Sequence, residues 1–145
     1  MRRGCTHYTP PDYIENDVCE PGRTAFSDLD LAIALCSAAQ DYDPMLVRCA
    51  AQLLGAEAVS AVALARQARM ERCESIIRHV ATAGAQIDTT REAFWREVLR
   101  RLPSGPAPRA GTLPHPSRFT VQTGISAPQK GGAPRQVWLR PQVAP

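Results

Sequence analysis

Apolar residues recur at alternating steps of four and three through residues 57–84, a stretch with no proline and with no glycine before Gly84. This period predicts a single continuous helix about 42 Å long, with Gly84 as its C-cap. The predicted helix carries a narrow apolar edge, here called the seam, which we expect to face away from water. The seam comprises Val59, Ala63, Met70, Cys73, Ile77, Val80 and Gly84.

Two shorter helices are predicted before residue 57. Ser27 is a good N-cap for the first, because Asp28 and Asp30 follow it in the first turn, where the helix dipole favours negative charge. The second helix is predicted over residues 44–54, with Asp43 as its cap and Pro44 at its first position. Gly55 closes this second helix or marks a bend in it.

A last helix is predicted ahead of Pro103. Thr89 and Glu92 have the spacing of a capping box, and the apolar positions from Phe94 to Leu102 follow them. Glu92 precedes Arg96 by four residues, the favourable order for an ion pair on a helix surface. The pattern as a whole therefore predicts an all-α fold, a small bundle of three or four helices within residues 27–102.

The two ends of the chain lack such a period. We expect residues 1–26 to form a flexible acidic segment and residues 103–145 to form a disordered basic tail, which holds nine of the 13 prolines. Two short groups of β-favouring residues interrupt the tail at 118–123 and 135–140. Either group is too short to be stable alone, so we expect both to order against a partner or to dock back onto the helices.

The charge of the chain changes along its length. Residues 1–45 carry −5, residues 46–102 carry +3, and residues 103–145 carry +5 with no acid among them, which sums to the net charge of +3. An acidic head and a basic tail either attract each other or bind different partners. Sixteen of the 17 basic residues are arginine, which fits phosphate or carboxylate recognition but is also typical of a GC-rich genome.

Sequence motifs of catalysis are missing from this chain. It has no glycine-rich phosphate loop, no G-x-S-x-G elbow and no H-E-x-x-H pair, so we assign no catalytic residue and no cofactor. Cys5, His7 and Cys19 do not have the paired spacing of zinc modules, and we assign no metal. His79 is predicted to be exposed and without a particular role. No apolar run is long enough to span a membrane, and we expect a soluble cytoplasmic protein with reduced thiols.

Residues 49–66 carry one motif that points to DNA. Ala50 and Ala51 precede Leu53, Leu54 and Gly55, and a helix is predicted to follow. This pattern resembles the helix-turn-helix of the Fis type of regulator. The resemblance implies a DNA-binding element over about residues 44–66. The alternative is a plain bend between two packed helices. The basic tail offers a second, non-specific route to nucleic acid, in which Phe119 and Trp138 would stack on bases. Five charges over 43 residues are sparse, however, and a solvated linker or a peptide arm for another protein is the favoured interpretation.

Arg66 falls within the apolar seam, where a guanidinium needs an explanation. In the first hypothesis Arg66, and Arg69 beside it, reach acids of the first two helices such as Asp30 or Asp41. In the second the seam is an oligomer interface, where one charged group fixes the register. In the third Arg66 holds an anion. The first two hypotheses predict that an acidic substitution at Arg66 destabilises the protein.

The function predicted from these features is that of a non-enzymatic interaction or regulatory protein. Its helical body is expected to bind itself or a partner protein, and its tail is expected to supply a second contact. The alternative is a DNA-binding transcriptional regulator. The candidate interaction residues are Arg66, Arg69, Met70, Cys73, Ile77 and Trp138.

Overall fold

The computed structural model describes residues 26–38, 43–105, 111–123 and 135–141. Within these residues the fold is mostly helical, as predicted, and it also contains a small sheet. The elements are α1 (Asp28–Ala38), α2 (Pro44–Leu54), α3 (Ala61–Met70), α4 (Glu74–Ile87), α5 (Glu92–Arg101), a 3-10 helix (Pro116–Phe119), β1 (Thr120–Thr123) and β2 (Arg135–Trp138). In the described part of the chain no helix is both long enough and apolar enough to cross a membrane.

The starts of α1 and α2 are those that the sequence predicts. The Ser27 hydroxyl accepts from the Asp30 N–H at 3.1 Å, and the Asp30 carboxylate accepts from the Ser27 N–H at 2.9 Å. At α2 the Asp43 carboxylate accepts from the Met45 N–H at 2.9 Å, with Pro44 at the first helical position. Side-chain acceptors thus satisfy N–H groups that have no partner inside either helix.

The prediction of one continuous helix over residues 57–84 is wrong. The chain breaks between α3 and α4, where Arg72 has a φ of 54°. The Cys73 N–H donates to the Ala68 carbonyl at 3.0 Å, and the Arg72 N–H donates to the Arg69 carbonyl at 3.3 Å. This pair of bonds is the Schellman motif that ends many helices, usually with glycine at the left-handed position. Here arginine occupies that position. The sequence has neither glycine nor proline at the break, so its residue types do not indicate where the helix ends.

The break divides the seam into two parts with different environments. Cys73, Ile77 and Val80 are buried, and they form the inner face of α4. Met70, by contrast, is 67% exposed at the end of α3. The helix α3 packs through another set of residues, Leu64, Ala65 and Ala68. The seam therefore predicts the buried face of α4 correctly, but it does not predict the buried face of α3.

Substitution of Arg72 by glycine tests whether the helix breaks here, because a broken and a continuous helix predict opposite changes in the free energy of unfolding. An exposed arginine in the left-handed region is strained by about 1–2 kcal/mol, and glycine is not. We expect Arg72→Gly to raise the free energy of unfolding by about 0.5–1 kcal/mol, because part of the relief is offset by the greater freedom of glycine in the unfolded chain. Urea denaturation followed by circular dichroism measures this change. In a continuous helix the same substitution would lower the free energy of unfolding by about 1 kcal/mol.

The predicted end of α4 and start of α5 also need correction. Gly84 lies inside α4 and is not its C-cap. Glycine is required at this position because the ring of Trp95 packs against it, and a Cβ would clash with Trp95 Cδ2. The capping box of Thr89 and Glu92 does not form. The helix α5 begins at Glu92, and its N-cap is Arg91, which makes no side-chain capping bond. The guanidinium of Arg91 instead donates to backbone carbonyls between α2 and α3.

The two β-favouring groups of the tail pair with each other. β1 and β2 are antiparallel, with Thr120 opposite Trp138 and Val121 opposite Val137. The Leu139 N–H extends the ladder by donating to the Phe119 carbonyl at 3.0 Å. The expectation of a tail without structure is therefore wrong for residues 111–123 and 135–141, and the alternative of docking back onto the helices is the one observed.

The core is formed by residues of all five α-helices, the 3-10 helix and β2. Four of its members are large side chains with less than 2% relative exposure: Trp95, Phe119, Leu54 and Leu64. Trp138, from β2, is 2% exposed within the same cluster. The C-terminal segment thus completes the core rather than covering its surface.

Candidate functional site

An apolar groove lies between α1 and α3 on the described surface, and it is here called the α1–α3 groove. It has a volume of about 880 Å³. Two long apolar side chains stand at its edges, Phe26 at 59% exposure and Met70 at 67%. The lining residues are Phe26, Asp30, Leu31, Ile33, Ala34, Ser37, Gln67, Met70 and Glu71. This set contains two acids and no base, so the groove is apolar with a negative rim.

Asp30 is held in place on this rim. Its carboxylate accepts from the Ser27 hydroxyl at 2.6 Å and from the Gln67 amide at 3.2 Å, which ties α1 to α3. These hydrogen bonds lower the pKa of Asp30, the Ser27 hydroxyl contributing most and the Ser27 N–H next. A carboxyl with a lowered pKa is fully ionised at neutral pH. The rim therefore carries a fixed negative charge beside the apolar floor.

Arg66 and Arg69 do not make the contacts proposed for them. Arg66 is exposed and has no hydrogen bond or ion pair within the described residues, and Asp30 is bound by Gln67 instead. The buried face of α3 is formed by Leu64, Ala65 and Ala68, and Arg66 lies on another face of this helix. Arg69 donates to the Arg101 carbonyl at the end of α5, where the helix dipole is negative. Asp41, the other suggested partner, lies outside the described residues.

Trp138 is not a surface residue. Its indole N–H donates to the Ala51 carbonyl at 3.1 Å, and its ring lies 5.0 Å from the ring of Trp95 and 5.5 Å from that of Phe119. A Cβ at Gly55 would lie 2.8 Å from Trp138 Cδ1, so only glycine fits beneath the indole. Because both aromatic residues of the tail are buried, the predicted stacking of Phe119 and Trp138 on bases is wrong.

Asp88 connects the C-terminal segment to the helices. This carboxylate is 3% exposed, and it accepts from the Trp95 indole at 2.9 Å and from the Arg140 guanidinium at 2.6 Å. The buried Gln52 amide donates to the Arg140 carbonyl at 3.0 Å. A buried carboxylate needs a charged or hydrogen-bonding partner, and Asp88 has both. These contacts explain why residues 138–140 stay on the helices.

Arg91 holds the link between α2 and α3. Its guanidinium donates to the carbonyls of Leu54 at 3.0 Å, of Val59 at 2.9 Å and of Ala56. It also lies 3.7 Å from the centre of the Phe94 ring. Burial lowers the pKa of Arg91, and the nearby Asp88 carboxylate partly opposes this effect. A fork of several donors suits arginine and would not be reproduced by lysine.

The stretch that resembles a helix-turn-helix is α2, the link 55–60 and α3. The link is six residues long, whereas the usual turn of this motif has about three or four. Leu53, Leu54 and Gly55 are buried, and Gly55 is explained by the indole above it. On α3 the exposed side chains include Val62 and Arg66. DNA binding by this element stays a prediction.

His79 is neither isolated nor fully exposed, contrary to the prediction. Its Nε2 is 2.7 Å from the Pro114 carbonyl, and its ring packs edge-on against Phe119 at 6.0 Å. Arg78, on the same helix, donates to the carbonyls of Leu102 at 3.2 Å and Pro103 at 3.3 Å. These two side chains line a second, smaller groove of about 460 Å³ along α4. Their role here is to fasten the chain that follows α5.

The thiols of the described residues are poor nucleophiles. Cys36 and Cys73 are buried, and burial raises the pKa of Cys73 to about 12 and that of Cys36 well above its usual value. A thiol with such a pKa is protonated at neutral pH and is unreactive. No group of three or more metal-ligating side chains comes together in the described ranges. Cys5, His7 and Cys19 lie outside those ranges.

No protein-family model, no curated protein and no solved structure matches this chain. Function is therefore argued from the surface itself. Of the candidate interaction residues, only Met70 lines the α1–α3 groove, whereas Cys73, Ile77 and Trp138 belong to the core. Sequence reasoning missed Phe26, the other apolar edge of the groove. An aromatic residue directly before the predicted cap at Ser27 was the available signal.

Proposed function

We propose that this protein is a non-enzymatic interaction protein that binds a basic amphipathic segment of a partner protein in the α1–α3 groove. One observation carries this proposal: two long apolar side chains, Phe26 and Met70, are more than half exposed on opposite edges of one groove. Contiguous exposed apolar surface is uncommon on soluble proteins and often marks a binding site.

The shape of the groove favours a helical occupant. Two helices line it, and an amphipathic helix that lies in such a groove buries apolar side chains at steps of three and four. Methionine suits this role, because its flexible side chain adapts to different partner surfaces. Phe26 offers a larger and more rigid contact on the opposite side.

The charge of the rim favours a basic occupant. Asp30 and Glu71 line the groove, and no arginine or lysine does. Asp30 stays ionised because its pKa is lowered by Ser27 and Gln67. Lysine or arginine on the polar face of a partner helix would meet this negative rim, which increases both the association rate and the specificity.

Binding of a defined peptide tests this proposal. The probe is a labelled amphipathic peptide of about 18 residues, with leucine on one helical face and lysine on the other, whose binding is followed by fluorescence anisotropy. We expect Met70→Glu to raise its dissociation constant by about tenfold or more, because the substitution removes an apolar contact from the groove. Val62→Glu is the matched control: Val62 is 53% exposed on α3 outside the groove, and its substitution should leave the dissociation constant unchanged.

Three results would contradict the proposal. Equal affinity of the Met70→Glu and Val62→Glu variants would place binding elsewhere. Tighter binding of a matched peptide with glutamate in place of lysine would show that the rim does not select charge. A dimer of the wild-type protein in light scattering that Met70→Glu dissociates would show that the groove is filled by a second copy of this chain.

A further inference from the structure

The outer edge of β1 is a second surface that the groove does not explain. A two-stranded sheet has two outer edges, and β2 packs against α4 through the buried Trp138. β1 has no fully buried residue, since Thr120 is partly buried and Val121, Gln122 and Thr123 are exposed. The chain thus presents a strand whose free side faces solvent in the described structure.

The hydrogen-bond pattern shows which backbone groups point outward. The bond from the Leu139 N–H to the Phe119 carbonyl makes these residues a hydrogen-bonded pair. Such pairs alternate along an antiparallel ladder, so Val121 and Val137 form the next one. The N–H and carbonyl of Gln122 then point away from β2, toward solvent. They are available to an added strand.

β1 has four residues, and shortness is one of the features that protect a free edge, but β1 lacks the other features. Natural edge strands carry lysine, proline, a bulge or an inward-pointing charge that hinders pairing with other chains. β1 has the sequence TVQT, which contains neither charge nor proline. Val121 and Val137 lie directly opposite each other and are 46% and 39% exposed, so one face of the sheet offers apolar contact beside the edge.

We infer that the β1 edge binds an extended acidic segment of a partner protein as a third strand. Backbone pairing to Gln122 would supply affinity, as in other cases of strand addition. Arg118 is exposed just before β1, Arg135 is exposed on β2 opposite Thr123 at the other end of β1, and residues 111–123 and 135–141 contain no acid. Glutamate or aspartate in the added strand would meet these arginines. This surface is separate from the α1–α3 groove and does not rest on the function proposed there.

Nucleic acid is the other class of ligand that a basic hairpin attracts, and the structure favours it less. Single-strand binding relies on exposed aromatic rings, and both aromatic residues of this segment are buried. Arg140 is already paired with Asp88, which leaves Arg118 and Arg135 as the exposed cations of the described hairpin.

A peptide of alternating valine and glutamate, of about eight residues, is the probe. Binding is measured on the full-length protein by the shifts of the Val121 and Thr123 amide signals in NMR spectra, because the wild type and every variant retain these two amides. We expect Gln122→Pro to weaken binding by about tenfold or more, because proline removes the outward N–H without breaking the pairing of β1 with β2. Gln122→Ala keeps that N–H and should bind as the wild type does. Arg135→Glu should weaken binding several-fold.

A second version of the probe keeps the test valid if Gln122→Pro unfolds the hairpin. A peptide in which every backbone amide is N-methylated has no N–H to donate to a strand edge, and it should not bind to the unaltered protein. Equal binding of the methylated and unmethylated peptides would overturn strand addition. Preference for a matched lysine peptide would overturn the acidic occupant, and tighter binding of single-stranded DNA would assign the hairpin to nucleic acid. A wild-type dimer that Gln122→Pro dissociates would assign the edge to a second copy.

Discussion

Replacement of Trp138 by alanine is expected to lower the free energy of unfolding by about 3–5 kcal/mol, the usual cost of removing a buried tryptophan. The indole is 2% exposed, contacts the rings of Trp95 and Phe119, and donates to the Ala51 carbonyl. The substitution removes all of these contacts and leaves a cavity beside Gly55. Urea denaturation followed at 222 nm measures the change.

The control for this variant is the adjacent residue of the same strand. Val137 is 39% exposed, and Val137→Ala should change the free energy of unfolding by less than about 1 kcal/mol. If both variants had the same small effect, the C-terminal strand would contribute little to the stability of the helices. That result would mean that Trp138 is exposed in solution, as expected for a residue of a disordered, proline-rich tail.

Asp88→Ala is the second substitution with a large expected effect. It removes the acceptor of the Trp95 indole and the ion-pair partner of Arg140, both from a site that is 3% exposed. We expect a loss of about 3 kcal/mol in the free energy of unfolding, because a buried indole N–H and a half-buried guanidinium lose their partner. Chemical denaturation of the variant and the wild type measures it.

Two further variants make this prediction specific. Asp88→Asn keeps an oxygen for the Trp95 indole and loses the charge that pairs with Arg140, so its effect should be intermediate. Glu57→Ala removes an exposed carboxylate and should change the free energy of unfolding by less than about 0.5 kcal/mol. Similar losses for Asp88→Ala and Glu57→Ala would mean that Asp88 does not connect the C-terminal segment to α4 and α5.

The sequence was sufficient where local chemistry determines structure. Asp43 and Pro44 start α2 as predicted, and the Glu92–Arg96 pair lies on α5 at 2.6 Å. These features depend on residues within one or two turns, whose spacing is visible in the sequence. The inner face of α4 was also predictable, because Cys73, Ile77 and Val80 follow the helical period.

The sequence was insufficient where distant residues determine structure. A good helix-forming residue, Arg72, takes a left-handed conformation, and the bonds that stabilise it involve backbone groups alone. Gly84 was predicted to be a C-cap, but glycine is required at this position by the ring of Trp95, eleven residues later in the sequence. Gly55 ends α2 as predicted, but its second cause is Trp138, a residue of the predicted disordered tail. None of these causes has a local pattern.

The same distinction between local and distant causes applies to the candidate site. Met70 was predicted as an interaction residue from the seam, yet it is exposed because the seam breaks there. Arg66 is exposed, which contradicts the hypothesis that it reaches acids inside the fold, while the oligomer-interface and anion hypotheses stay predictions. The groove itself depends on how α1 packs on α3, which a pattern along one helix does not determine. The apolar edge residue Phe26 was placed in the flexible segment.

Hydrogen exchange of the Trp138 indole N–H tests the central claim, that the segment of residues 135–141 is part of the folded core. Two-dimensional NMR of the wild-type chain resolves its two tryptophan indoles. We predict that the Trp138 indole exchanges about a thousandfold more slowly than free tryptophan, at a rate similar to that of the backbone amides of α2 and α4. Exchange of this indole at the rate of free tryptophan, with the helix amides still protected, would contradict the claim.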